Sequence, residues 1–202
     1  MTARIALFDL GHVVLDWDPA RLYRKIFDDP QERDRFLADI CNMTWHTRHD
    51  AGAGFAENAA PLIAQYPHYE GQIRAWGQRW MEMFDGYVDG TAELVERLDA
   101  RGAPLYALSN MPAEPWPIML EAFSLLRRFR HVVVSGEIGM VKPDPAIYAH
   151  ALGKLGNPDP ADVFFIDDSL RNIEAAATLG FRTHHFRGAE GLEQALAAEG
   201  LL

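Results

Sequence analysis

Apolar positions along this chain come in two textures, and the change between them divides it. Residues 5–8 (Ile-Ala-Leu-Phe) form a short unbroken apolar run that stops at Asp9, the pattern of a strand buried on both faces. Gly11 then permits a sharp turn. From Trp17 to Phe84 helical spacing takes over. Leu22 pairs with Ile26, Phe36 and Leu37 with Ile40, Leu62 with Ile63, and Ile73, Trp76, Trp80 and Met83 make one long apolar stripe. Four such segments in succession, with no strand between them, predict an all-helical insertion over residues 17–85. After Asp85-Gly86 strands and helices alternate. Helices are predicted over 91–100, 117–123, 145–155, 170–179 and 192–198, and strands over 105–108, 132–134, 163–166 and 182–186. Thr91 and Asp144 are the expected N-caps of two of these helices, Pro145 the first helical residue of one, and Gly102 and Gly180 the stops of two. Continuously apolar strands alternating with amphipathic helices predict an α/β domain made of residues 1–16 and 86–202, a doubly wound parallel sheet covered on both faces.

Parallel strands place all their carboxyl ends on one edge of the sheet, where open α/β sheets bind ligands. In this chain Asp9 follows the first strand, Ser109-Asn110 the second and Asp167-Asp168-Ser169 the fourth, while the loop after the third leads to Lys142-Pro143. Polar groups distant in sequence are therefore expected to meet. Three carboxylates on one edge repel each other unless a cation joins them or one takes a proton. Hard oxygen ligands with no supporting histidine or cysteine cluster favour Mg2+. Lys142 and the amides opening the helix after Asp168 add positive charge suited to phosphate.

Composition narrows the partners. The 202 residues carry a formal net charge of -10 and no Lys/Arg-rich run, which excludes a nucleic-acid binder of ordinary kind. The single cysteine, Cys41, cannot form an intramolecular disulfide and reads as a packed core thiol. The start of the chain lacks the long apolar core of a signal peptide, and no apolar run reaches membrane-spanning length, so the expectation is a cytoplasmic protein without a membrane partner. Monomer and dimer stay open.

Taken together, Phe8-Asp9-Leu10-Gly11-His12-Val13, Leu108-Ser109-Asn110, Lys142 within Met140-Val141-Lys142-Pro143-Asp144-Pro145, and Phe165-Ile166-Asp167-Asp168-Ser169 resemble, in order, the four motifs of the haloacid dehalogenase superfamily. Within that superfamily the chain is most similar to bacterial sugar-phosphate phosphatases of the α-D-glucose 1-phosphate phosphatase type, which share the Asp-Leu-Gly opening. The resemblance implies a Rossmann-like core with a small helical cap inserted after the first strand. It also implies Mg2+-dependent hydrolysis of a small phosphorylated metabolite, a sugar phosphate in particular, through an aspartyl-phosphate on Asp9. By the same resemblance, Ser109 and Asn110 hold phosphate oxygens and Lys142 balances charge. The metal is bound by Asp9, the Gly11 carbonyl and Asp168, with Asp167 as a ligand or a neighbour of one. Asn172 stands where many relatives carry another acid. Asp50 and Gly52 are expected on the specificity loop of the cap.

One departure matters. Most phosphatases of this superfamily carry an acid two residues after the nucleophile, and here that position is Gly11. Such help is typically worth roughly 10²- to 10⁴-fold in rate. Either another residue substitutes (Asp16, His12 or one from the insertion), or turnover is slow, or the substrate has a good leaving group, as an anomeric or acyl phosphate does. The last is the reading adopted from the sequence. Two rivals remain: a 2-haloacid dehalogenase using Asp9 without metal, against which Asp167-Asp168 speak, and a weakly catalytic protein that binds a phosphorylated ligand. His46 and His49, three apart, lack a third ligand and read as exposed or substrate-facing. Trp76 and Trp80 read as core of the insertion, and Trp17, Trp116 and the stretch from Trp45 to Gly54 as candidates for the pocket wall.

Overall fold

The computed structural model describes residues 5–202; residues 1–4, assigned by sequence to the α/β domain, lie outside the described residues. In chain order the elements are β1 (Ile5–Phe8), β2 (Leu15–Trp17), α1 (Pro19–Tyr23), α2 (Pro30–Arg35), α3 (Met43–Asp50), α4 (Phe55–Gln65), α5 (Glu70–Gln78), β3 (Phe84–Tyr87), α6 (Thr91–Ala100) and β4 (Leu105–Ser109). Then come α7 (Trp116–Ala122), β5 (His131–Val134), α8 (Ser135–Ile138), α9 (Pro145–Lys154), β6 (Val163–Asp167), α10 (Leu170–Thr178), β7 (Arg182–His185) and α11 (Ala189–Ala198). Five strands form one parallel sheet in the order β5-β4-β1-β6-β7. This is the Rossmann-like α/β fold expected from the sequence.

Strand alternation explains why the apolar runs are unbroken. Ile5, Leu7, Val163 and Phe165 point to one face, where α9 and α10 cover them with Ile147, Tyr148, Ala151, Ile173 and Ala176. Ala6, Phe8, Phe164 and Ile166 point to the other, against Leu94, Val95 and Leu98 of α6 and Leu192 and Leu196 of α11. Each strand is thus buried on both sides, and period-2 polarity has no place in it. The second of these clusters runs on without a break into the helical segment, through Leu22, Tyr23, Phe36, Ile73, Trp76 and Met83.

The helical segment between β2 and β3 departs from its expected form in three places. It holds five α-helices rather than four, because α3 went unpredicted. The Ile73–Met83 stripe is not one helix: α5 ends at Gln78, Arg79 leaves helical geometry at φ -123 and ψ 27, and Trp80–Met83 is a separate 3-10 turn. The stripe survives the break, because Trp76, Trp80 and Met83 are all buried. Finally, Leu15↔Tyr87 and Trp17↔Phe84 pair β2 with β3 as an antiparallel ribbon, so the two ends of the segment leave the sheet side by side.

Thr91 is not an N-cap. Gly90 occupies that position at φ 76, a left-handed conformation that costs glycine little, and Thr91 is already helical and buried. Asp144 does cap its helix, accepting from Ala146 N at 2.8 Å.

Candidate active site

Register brings the sequence motifs together. Phe8 pairs with Ala107 on one side and Ile166 on the other, so the next residue of each strand, Asp9, Leu108 and Asp167, stands at the same level of the sheet edge. Lys142 reaches in from the β5–α9 connection. Its Nζ lies 2.9 Å from Asp9 Oδ1, 2.7 Å from Asp167 Oδ2 and 2.9 Å from the Leu108 carbonyl oxygen, satisfying all three of its protons. Its ammonium also sits 5.6 Å from the centre of the Phe165 ring. Asn110 fixes the base of this lysine from both sides: its Nδ2 donates to the Lys142 carbonyl at 3.0 Å, and its Oδ1 accepts from Lys142 N at 2.8 Å.

Asp167 is wholly buried and heavily engaged. Oδ1 accepts from Ser169 N at 2.8 Å and Oδ2 from Lys142, while Asn172 Nδ2 lies 3.1 Å from both oxygens. His185 Nε2 contacts the Asp168 carbonyl oxygen at 2.9 Å. Asp9, Asp167 and Asp168 each offer a carboxylate oxygen, and the three lie within 4.8 Å of one another. Such an oxygen-only set fits a hard divalent cation.

The electrostatics follow from burial. Desolvation raises the Asp9 carboxyl well above the usual range, and the Asp167 and Asp168 charges push the same way; Lys142 opposes them. The two carboxylates in turn hold Lys142 charged, with its pKa raised despite burial. Burial also raises Asp168, helped by Asp167 and opposed by His12.

Above this edge lies a cavity of about 290 Å³. Asp9, Gly11, His12, Ser109, Asn110, Asp168 and Ser169 make its floor, and the helical segment contributes Met43, His46, Thr47, Asp50 and Trp80. Leu10, Leu15, Trp17, Phe84, Met111 and Met119 complete the wall. Trp116, one helical turn before Met119, is not among the wall residues. Asp16 is not either, and is paired with Arg21 at 2.6 Å.

Asp50 and Gly52, expected together on a specificity loop, part company. Asp50 ends α3 and lines the cavity. Gly52 lies outside it, at φ 100, where a Cβ would come within 3.2 Å of the Gly136 carbonyl oxygen, so its role here is close backbone approach. His49 is fully buried rather than exposed, and His46 packs against both Trp17 and Trp80, stacked at 5.4 and 5.6 Å, while the two indoles touch each other at 5.7 Å. Burial drives both imidazoles down, to about 3 and about 4 for His46 and His49, so both are neutral near pH 7. Their Nδ1 atoms are 3.5 Å apart. Asn58 meets His49 Nε2 at 2.9 Å, which completes a packed polar pair rather than a metal site.

Sequence reasoning missed Ser135. It opens α8, is fully buried, donates from Oγ to the Asp50 carbonyl at 2.7 Å, and accepts from Met111 N at 2.9 Å. One hydroxyl thereby joins the helical segment to the loop after β4. Glu114 makes a second link, accepting from Phe55 N at 2.8 Å and so serving α4, whose own N-cap is Gly54 and makes no side-chain bond. Gly136 lets these parts approach: a Cβ there would fall 2.6 Å from Ala113 N and 2.8 Å from the Met111 carbonyl oxygen. Gly136→Ala is therefore expected to displace the backbone from Met111 to Ala113 and destabilise the protein by about 1–3 kcal/mol, read as a lowered urea midpoint at unchanged m-value.

The comparisons with known proteins agree with this geometry. The haloacid dehalogenase-like hydrolase family model matches residues 4–180. The chain is 30% identical to an N-acetylmuramic acid 6-phosphate phosphatase of Pseudomonas aeruginosa, covering 91% of this chain and 81% of that protein. It is 25% identical to the sesquiterpene phosphatase astK of Aspergillus oryzae, covering 89% and 87%. A haloacid dehalogenase family enzyme from Bacteroides thetaiotaomicron, solved with magnesium and inorganic phosphate, superposes with a TM-score of 0.68 at 24% identity over 92% of this chain and 94% of that one. With four motifs converging on one sheet edge and a family model spanning most of its length, the chain belongs to the haloacid dehalogenase-like hydrolases.

Proposed function

We propose that this hydrolase is a Mg2+-dependent phosphatase acting on a small phosphorylated metabolite, with Asp9 as nucleophile. The observation that carries the reading is the Asp9–Lys142–Asp167 arrangement, with Asp168 close by, at the floor of a roofed cavity. A carboxylate held 2.9 Å from a permanently charged lysine stays oriented for attack at phosphorus. Lys142 offsets charge on the transferring group, and Ser109 and Asn110 face the same space. Mg2+, bound by Asp9, the Gly11 carbonyl and Asp168, would neutralise the anionic substrate. The four hydrogen-bond contacts on Asp167 favour a role as the neighbour that positions Lys142. The helical segment acts as a cap that excludes bulk water. A cytoplasmic location belongs to this reading; among the described residues no helix is long and apolar enough to cross a membrane.

A sugar phosphate is the finer reading. Asp50 and Thr47 offer polar contacts to hydroxyls, and Trp17 and Trp80 offer faces for stacking. The apolar remainder of the wall, Leu15, Phe84, Met43, Met111 and Met119, favours a second reading in which the leaving group carries an apolar face. A screen of sugar, nucleotide, acyl and prenyl phosphates, with and without Mg2+, separates the two. Phosphate release is expected to require Mg2+, to fall at least about 100-fold with EDTA and to return on adding Mg2+. Chloride release from 2-chloropropionate that survives EDTA would instead establish the dehalogenase. Phosphate-ligand binding without turnover would establish the binding protein.

A further inference from the structure

Position 11 lacks an acid, although a Cβ there would meet no atom within 4 Å. The opposite wall of the cavity supplies a carboxyl. Asp50 ends α3, is 6% exposed, and shares the cavity with Asp9, Ser109, Asn110 and Asp168. Its Oδ1 is buried and has no hydrogen-bond partner among the described residues. His46 Nε2 lies 3.3 Å away, outside hydrogen-bond geometry. The anchoring bond to Ser135 uses the Asp50 backbone, so among the described residues the carboxyl has no polar contact of its own beyond the His46 approach at 3.3 Å. A buried polar atom without a partner is costly unless something else meets it.

We propose that Asp50 is the general acid and base of phosphoryl transfer, the role left vacant at Gly11. The assignment rests on the phosphatase reading above. As Asp9 bonds to phosphorus, the bond from phosphorus to the leaving oxygen breaks, and the Asp50 carboxyl gives its proton to that oxygen, releasing an alcohol. The Asp50 carboxylate then takes a proton from the water that attacks the aspartyl-phosphate. The bond between Asp9 and phosphorus breaks, freeing inorganic phosphate and restoring both side chains.

The surroundings suit this traffic. The titratable and charged groups about Asp50 are His46 and His49 on its own helix, Lys142 from the β5–α9 connection, and Asp9, His12 and Asp168 on the cavity floor. Burial raises the Asp50 carboxyl to about 7, with Lys142 opposing. Both protonation states are then populated near neutrality, where a shuttle is most effective.

The test compares wild type with Asp50→Asn on 4-nitrophenyl phosphate, phenyl phosphate and an alkyl phosphate, all with Mg2+. The variant is expected to lose about 10²- to 10⁴-fold in kcat on the alkyl ester and much less on the nitrophenyl ester. The alkaline limb of the wild-type kcat/KM profile, near pH 7, should disappear. Gly11→Asp in the Asp50→Asn background should restore alkyl ester turnover. An equal loss across the three esters with the pH limb intact, or no loss, overturns the assignment. If Asp50→Asn fails to fold, the wild-type profile decides: alkyl ester turnover with no alkaline limb near pH 7 also overturns it. A wild type inactive on every phosphate ester overturns the phosphatase reading itself.

Discussion

Asp9→Asn is expected to lower Mg2+-dependent phosphate release by about 10⁴-fold or more while the protein stays folded, because the lost group is the one that would bond to phosphorus in the proposed reaction. The uncharged amide keeps the shape of the side chain and leaves Lys142 its contacts with Asp167 and the Leu108 carbonyl. Stability should move the other way. The Asp9 carboxyl is raised above its unfolded value, so its contribution is intact at acid pH and is lost as pH rises through the folded value. In metal-free buffer at pH 8 the variant should therefore be at least as stable as wild type, and at pH 4 the two should converge. Urea midpoints at the two pH values, alongside a phosphate-release assay, read both effects. A stable variant retaining more than about one-hundredth of wild-type turnover would remove Asp9 from the chemistry.

Lys142→Met is expected to be the most damaging substitution in the site. It removes a buried ammonium from between two buried carboxylates, each within 3 Å of it, and leaves both without a cation. Breaking a buried pair from one side typically costs about 3–5 kcal/mol, a large part of the stability of a domain this size. The loss should be smaller at pH 5 than at pH 8, since protonation of Asp9 relieves the repulsion that the lysine had balanced. Arginine is not expected to substitute. Its planar fork cannot reproduce three short bonds converging on one nitrogen, two to carboxylates and one to the Leu108 carbonyl. Denaturation curves at both pH values check the stability, and single-turnover phosphorylation of Asp9 checks the chemistry. Equal stability of Lys142→Met and wild type at pH 8 would show that the carboxylates do not need this partner.

The parts of the fold that were legible in the sequence are those set by local pattern. Ile5 to Phe8 and Val163 to Ile166 announce buried strands because every residue in them is apolar, and one rule about parallel sheets then places Asp9, Ser109 and Asp167 on a shared edge. The illegible parts depend on what lies opposite. Nothing near Leu15 signals that it will pair with Tyr87, more than seventy residues away. Thr91 has the chemistry of a cap, yet Gly90 can enter the left-handed region at φ 76 and takes the position. His46 and His49 look exposed beside Thr47 and Arg48, but Trp17, Trp80 and Phe55 arrive from other elements and enclose them. The hydroxyl of Ser135 is one of many along the chain until folding sets Asp50 on one side of it and Met111 on the other. Asp50 was expected to face substrate; its unpartnered oxygen is visible only in three dimensions.

The Ser135 and Glu114 links bear on the resting shape of the molecule. Swinging the helices away from the sheet would strip Ser135 Oγ of its acceptor and Phe55 N of its carboxylate, at about 1 kcal/mol or more for each bond left unmade. It would also wet part of the apolar cluster that spans both regions. Both links thus favour helices held over the sheet edge, so the roof of the cavity does not depend on a bound molecule for its placement.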